Sequence, residues 1–194
     1  IRTIKFSNDS QIEVIAKSAF SNLNITEIFI PKSVKIIEDF AFSNCCDLQK
    51  VEFAEDSELE FIGQHSFSQT SILTVDIPKS VTTIDDFAFS YSQLQEVNFD
   101  ENSELKLIKN KAFYEISSLI TIKIPKSVQT IEQYAFYRWY SLAEVTFEKD
   151  CELKTIESSA FQRASINRIT IPKQVEEINE FTFSECNKLE EIKF

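Results

Sequence analysis

The sequence predicts a solenoid, a stack of short coils sharing one continuous core, and three observations carry that prediction. The phrase Ile30-Pro31-Lys32-Ser33-Val34 returns at Ile77 to Val81 and at Ile124 to Val128, then with Gln for Ser at Ile171 to Val175, each copy 47 residues after the last. A column of phenylalanines (Phe20, Phe42, Phe67, Phe89, Phe113, Phe136, Phe161 and Phe183) recurs every 22 to 25 residues. Of the 18 phenylalanines, only Phe29 and Phe61 fall outside the repeating positions. Internal periodicity of this kind decides architecture before any local propensity does.

The 47-residue period holds two shorter repeats. Between the Ile-Pro-Lys-Ser-Val copies lies a second phrase, at Phe53 to Leu59, Phe99 to Leu105 and Phe147 to Leu153, with a weaker version at Phe6 to Ile12. Both phrases lead into the same Ile and then the same Phe. After each column Phe comes an apolar-x-x-apolar-x-apolar run, such as Leu48, Val51, Phe53 or Leu94, Val97, Phe99. That pattern, at a period in the low twenties, is the leucine-rich-repeat signature. Its last two apolar positions lie two apart and share one side of a short strand, so the residue between them faces out. One such coil encloses nothing; each is completed by its neighbour.

The expected fold is therefore a right-handed curved solenoid with one parallel sheet of short strands, little regular helix, and single helical turns around each Ala-Phe. It forms a single domain over residues 1–194, with about eight coils plus a ninth strand. The chain contains no Met, opens inside one strand pattern and stops inside another, as a fragment of a longer protein without polar caps would.

In coil 1, Asn8-Asp9-Ser10 and Asn24-Ile25-Thr26 are possible glycosylation sequons, making Asn8 and Asn24 candidate attachment points. Phe29 occupies the outward strand slot that holds Lys5, Glu52, Asp76, Asn98, Lys123, Thr146, Thr170 and Lys193 elsewhere, so it is a candidate contact residue; a single exposed apolar side chain is also ordinary. Pro31, Pro78, Pro125 and Pro172 follow strands and end the ladder. The lysines beside them are expected to alternate along the turn edge with acids such as Asp56, Glu58 and Glu152.

The slot Val14, Ile36, Phe61, Thr83, Leu107, Thr130, Thr155, Glu177 drifts from apolar to polar, as either an exposed hydrophobic stripe or a packing gradient would. Tyr91, Tyr114, Tyr137 and Tyr140, with Arg138 and Arg163 nearby, fall just after the column Phe on adjacent coils. Tyr and Arg are enriched in binding hot spots, so Tyr91, Tyr114, Tyr137, Arg138 and Tyr140 are candidate protein-binding residues. Trp139 shares a slot with Leu23, Cys45, Thr70, Ser92, Ile116, Ala164 and Cys186, which reads as packing.

Composition narrows function. A formal charge of −11 argues against nucleic acid and anionic membrane surfaces, where a basic face supplies the affinity. No apolar run approaches the roughly 20 residues that span a bilayer. Cys45 and Cys186 share a slot six coils apart, no C-x-x-C pair occurs, and zinc needs converging ligands, so the four cysteines read as small buried fillers. His65 is the only histidine, without a nucleophile or metal set around it, and the single glycine, Gly63, allows no Gly-rich phosphate loop. The expectation is no enzyme, no cofactor and no metal.

The phrase IPKSV-x-x-I-x-x-x-AF followed by L-x-x-V-x-F resembles the BspA-like leucine-rich-repeat surface proteins of host-associated bacteria and parasitic protists. The stretch Ile77-Pro78-Lys79-Ser80-Val81, Ile84, Ala88-Phe89, Leu94, Val97, Phe99 is one full pass, and the likeness covers the whole chain. The alternation with D/N-S-E-L coils is most similar to the protist members. This resemblance implies a cell-surface or secreted adhesin or antigen that binds a protein ligand of the host, the matrix or another cell. The alternative is an intracellular structural scaffold whose coils dock other chains. Many relatives carry Gly after the Ile of each coil, where this chain has Ala16, Glu38, Gly63, Asp85, Lys109, Glu132, Glu157 and Asn179, so the resemblance leaves that turn undefined.

Overall fold

The computed structural model describes residues 2–7 and 9–194. It is a parallel β-solenoid of about eight turns, without helix among the described residues. Each turn holds one two-residue strand and one longer strand. The short strands are β1 (Val14–Ile15), β3 (Ile36–Ile37), β5 (Phe61–Ile62), β7 (Thr83–Ile84), β9 (Leu107–Ile108), β11 (Thr130–Ile131), β13 (Thr155–Ile156) and β15 (Glu177–Ile178). The longer ones are β2 (Glu27–Ile30), β4 (Lys50–Phe53), β6 (Thr74–Ile77), β8 (Glu96–Phe99), β10 (Thr121–Ile124), β12 (Glu144–Phe147), β14 (Arg168–Thr170) and β16 (Glu191–Lys193). In the first coil only a bridge from Thr3 to Glu27 stands where a long strand was expected.

The expected single sheet is divided. The long strands form two four-stranded sheets, β2-β4-β6-β8 and β10-β12-β14-β16, while the short strands form one continuous eight-stranded ladder. Connection length accounts for part of the break. Seven residues lead from Phe89 to Glu96 and eight from Phe113 to Thr121, so β8 and β10 arrive out of step and do not pair. Neighbours with equal connections, β6 with β8 and β10 with β12, pair over four residues, whereas β4 and β6 meet only at Lys50 and Thr74. Unequal length is not sufficient by itself, since β2 and β4 pair fully across the same difference.

The core runs without interruption along the stack. Phe42, Phe67, Phe89, Phe113, Phe136 and Phe161 are fully buried. Their rings stack face to face at centroid separations of 5.1 to 5.8 Å, so the interior row that the solenoid requires is present. The two alternating phrases also dock on one another. Ser33 donates to the carbonyls of Ser10 and Ile12, and Ser80 to those of Ser57 and Leu59, at 2.8–3.0 Å. In these two copies the serine of one phrase closes the turn of the preceding coil, whereas the buried Ser127 hydroxyl of the third copy makes no such bond. Along the turn edge, Lys32 pairs with Asp56 at 2.5 Å; Lys79, Lys126 and Lys173 make no such pair among the described residues. Both groups are exposed, so solvent and salt screen the Lys32 pair.

At the corner around each column Phe the structure departs from the helical turn expected there. Among the described residues seventeen non-glycine residues have positive φ, and all but Asp150 occupy two slots, two before and two after the column Phe. Phe40, His65, Phe87, Lys111 and Tyr134 fill the first slot, and Tyr91, Glu115, Arg138 and Arg163 the second, at φ of 53° to 63°. Left-handed backbone costs an L-residue about 1–2 kcal/mol. The alternation turns every second N–H along the stack. His65, Phe67 and Gln69 donate to the carbonyls of Asp86, Ala88 and Ser90 on the next coil at 2.8–3.0 Å, and the same trio recurs from coil to coil. This third ladder of hydrogen bonds offsets the backbone strain.

Gly63 is confined for a different reason. A Cβ there would lie 2.7 Å from the carbonyl oxygen of Ile37 and 2.8–2.9 Å from the backbone of Glu38 and Asp39. No residue of that slot has positive φ, so the other coils carry side chains in it without strain.

Candidate functional site

The corner ladder fixes the side chains that flank each buried Phe, and on one flank they form a continuous run of rings. Phe40 stacks on His65 at 4.9 Å and 13°, and His65 on Phe87 at 4.5 Å and 10°. The next coil has Lys111 in that slot, and the run crosses to the position after the column Phe: Phe87 meets Tyr114 at 6.4 Å, and Tyr114 stacks on Tyr137 at 5.1 Å and 10°. Tyr134 and Tyr91 stand edge-on to Tyr137 and Tyr114. The members from Phe40 to Tyr137 are half-buried, while Tyr91 is exposed.

Cations lie over this run. The Lys111 ammonium is 5.0, 5.6 and 5.3 Å from the ring centres of Phe87, Tyr114 and Tyr134, and Lys17 is 5.7 Å from that of Phe40. Arg138 and Arg163 lie 5.2 and 6.0 Å from the Tyr137 centre. Glu115 holds Arg138 at 2.7 Å, Glu185 holds Arg163 at 2.9 Å, and Arg163 Nη1 also donates to the Tyr137 hydroxyl at 3.3 Å. Burial, with Glu115 beside it, pushes the Tyr114 hydroxyl up to about 12.

Of the residues singled out in the sequence, Tyr91, Tyr114, Tyr137 and Arg138 meet in this cluster. Tyr140 lies beside it, its N–H on the Arg138 carbonyl at 3.0 Å and its side chain exposed. Phe29 is elsewhere, on the outward face of β2, where it lines a hollow of about 570 Å3 with Glu52, Asp76 and Asn98. A larger hollow of about 1020 Å3 lies over the second long-strand sheet, among Glu144, Thr146, Arg168, Thr170, Lys173 and Lys188. Phe40, His65, Phe87 and Tyr134, none of them a candidate contact residue from the sequence, also belong to the run. The polar Ser18 and Lys111 in the same slot are the sequence signal that it faces outward, although Ser159 there is buried.

The drifting slot faces solvent at its start, where Val14 and Ile36 are exposed in register, and is half-buried from Phe61 to Thr155. Three cysteines are buried as expected, but Cys46 is exposed, because its row lies outside the packed slot of Cys45. Cys45 and Cys186 do more than fill space: their thiols donate to the Phe20 and Phe161 carbonyls at 3.0 and 3.1 Å. Trp139 is fully buried. Asn24 is exposed, its amide donating to Asp47 at 3.2 Å, and Asn8 lies outside the described residues. Among the described residues no three His, Cys, Asp or Glu side chains are grouped to hold a metal, and no helix is long and apolar enough to cross a membrane.

His65 gives the run a pH dependence. Burial between Phe40 and Phe87 lowers its pKa from the usual 6.5, against the opposing pull of Asp86 and Asp39. The unfolded chain therefore binds the proton more readily. The stability due to the neutral ring is complete above pH 6.5 and is lost as pH falls through the folded value. Comparing the melting temperature of the wild type with that of His65→Phe between pH 4 and pH 8 checks this, as does an NMR titration of the ring. The wild type is expected to lose more on acidification, and a ring titrating above its unfolded value would refute the sign.

The model of the BspA type leucine rich repeat region matches residues 1–111 and 106–194, with six copies. The structure is similar to that of the pneumococcal vaccine antigen PcpA, at 26% identity and a TM-score of 0.74, over 94% of this chain and 56% of that one. It is also similar to a leucine rich cell surface protein from Faecalibacterium prausnitzii, at 28% identity and a TM-score of 0.61, over 93% of this chain and 42% of that one. The chain thus spans about half the length of each. No curated protein matches the sequence.

Proposed function

Because the chain belongs to the BspA-type leucine-rich-repeat family, we propose that it is a protein-binding module of a cell-surface or secreted adhesin or antigen, and that the aromatic corner engages the partner. The observation that carries this reading is the unbroken run from Phe40 to Tyr137 with four cations over it. Each ring is held by its neighbours on a rigid backbone, so little side-chain freedom is lost on binding, and preorganised Tyr and Arg suit a hot spot. The similarity to a vaccine antigen and to a cell-surface protein supports the compartment.

A double Tyr137→Ser, Tyr140→Ser variant is expected to lose capture of the partner from host-cell or matrix extracts at least tenfold, with Phe29→Ser retaining it. The reverse result would move the site to the sheet face, where the hollow beside Phe29 lies. One observation favours the intracellular scaffold instead: all four thiols are unpaired. Mass spectrometry of the natively expressed protein decides between the two, since glycan on Asn24 requires the secretory route.

A further inference from the structure

Beside the aromatic run, and chemically unlike it, a hollow of about 460 Å3 opens between two rows of corner residues on three successive coils. One row supplies Gln69 and Tyr91, two residues after their column Phe; the other supplies Cys46, Ser71 and Gln93, four after, with Thr70 between them. No charged side chain lines it, although 26% of the chain is charged and both hollows over the long-strand sheets are rimmed with Asp, Glu and Lys. We propose that this hollow is a binding site for a neutral sugar, a hexose unit of an uncharged glycan, with Tyr91 as the platform and the two glutamine amides as the hydroxyl readers.

The chemistry of the lining selects that class. Tyr91 stands at 70° to Tyr114, nearly half of its surface is open, and no cation lies over its ring among the described residues. A ring so placed offers a π face to the C–H side of a pyranose. Gln69 and Gln93 each carry two donors and an acceptor on one planar group, which matches vicinal hydroxyls. The Ser71 hydroxyl already donates to the carbonyl of Cys46 at 2.7 Å, and so presents lone pairs to a ligand O–H, while that of the buried Thr70 is held on the Phe67 carbonyl at 2.9 Å. An anionic sugar finds no cation here, and an extended proline-rich segment needs a series of parallel ring faces, whereas a single ring with amides around it fits one sugar. The volume lies within the ordinary range of small-ligand pockets, about 300–1,000 Å3.

The site contains its own reporter. Cys46 is the one exposed thiol; burial pushes the thiols of Cys45 and Cys151 up and that of Cys186 to about 11. The experiment measures the rate of Cys46 alkylation by iodoacetamide, followed by peptide mass spectrometry. Methyl glycosides of glucose, galactose, mannose and N-acetylglucosamine are the probes, with sialic acid and a proline-rich peptide as comparison arms. At least one neutral glycoside is expected to slow alkylation severalfold at millimolar concentration, and the comparison arms are expected to leave it unchanged. Tyr91→Asn should abolish the protection while keeping the fold, because Asn tolerates positive φ and fills the same slot in coils 1 and 2. Gln93→Ala, at an exposed position without that backbone constraint, should weaken it. Equal or better protection by the peptide or by sialic acid, protection unchanged in Tyr91→Asn, or no protection by any glycoside would each overturn the assignment. None of these outcomes depends on Tyr137 or Tyr140, so the protein-binding reading stands or falls separately.

Discussion

Phe89→Ala is expected to remove about 3–5 kcal/mol of stability and to end the single cooperative unfolding transition. Phe89 is fully buried between Phe67 at 5.3 Å and Phe113 at 5.4 Å, so truncation leaves a void in the middle of the stacked column. The site of the void matters as much as its size. A solenoid is held by nearest-neighbour interfaces, and the interface between coils 4 and 5 is the one at which the long strands β8 and β10 do not pair. That junction relies on the short ladder between β7 and β9, the corner bonds from Phe87, Phe89 and Tyr91, and the ring contact itself. Removing the ring strikes the interface with the least redundancy. Circular dichroism should report a lowered and broadened melt, and fluorescence of the single tryptophan, on the far side of the junction, should no longer change in step with it. A melt that keeps the parent's midpoint and coincident probes would show that the column does not couple the coils.

The parts of this fold that were legible in the sequence are those where every coil uses the same type of residue for the same job. The column Phe, the Ala before it and the alternating strand positions are apolar in nearly every coil because each meets its own copy above and below. The corner was not legible. Its left-handed slots hold Phe40, Lys111, Tyr134 and Arg163, residues that do not favour positive φ by themselves. The conformation is imposed by hydrogen bonds to the next coil, a tertiary effect that leaves no local signature apart from Asn22 and Asn44. The candidate site was half legible for the same reason. Tyr91, Tyr114, Tyr137 and Arg138 stood out against polar residues in their slots, whereas Phe40, Phe87 and Tyr134 were only members of a repeating aromatic position. Only the backbone turns them outward, and only then does His65 become part of a stack instead of an isolated histidine. The division of the long-strand sheet follows only in part from one extra residue before Thr121, a difference that a period averaged over eight coils hides.

Trp139 is the position where one slot has been given a different solution, and its replacement tests what the slot requires. The indole is fully buried, edge-on to Phe136 at 4.9 Å and to Phe113 at 6.2 Å, and its N–H donates to the Phe113 carbonyl at 2.5 Å. Cys45 and Cys186 make the equivalent bond from the same slot to Phe20 and Phe161. In these three coils the slot supplies two things, a donor for the carbonyl of the preceding coil and volume to fill the corner, whereas Leu23, Ile116 and Ala164 in the same slot supply volume alone. Trp139→Ala removes both and is expected to cost about 3–5 kcal/mol. Trp139→Phe keeps most of the volume and strands the carbonyl, for a loss of about 1–3 kcal/mol. Trp139→Cys restores the donor with little volume and should fall between the Phe and Ala variants. Urea denaturation followed by circular dichroism orders the three. If Trp139→Phe is as stable as the parent, the bond to Phe113 contributes nothing and the tryptophan is there for its bulk. If Trp139→Cys matches Trp139→Ala, the thiols of Cys45 and Cys186 are fillers as well, and the donor function of the slot is lost in all three coils together.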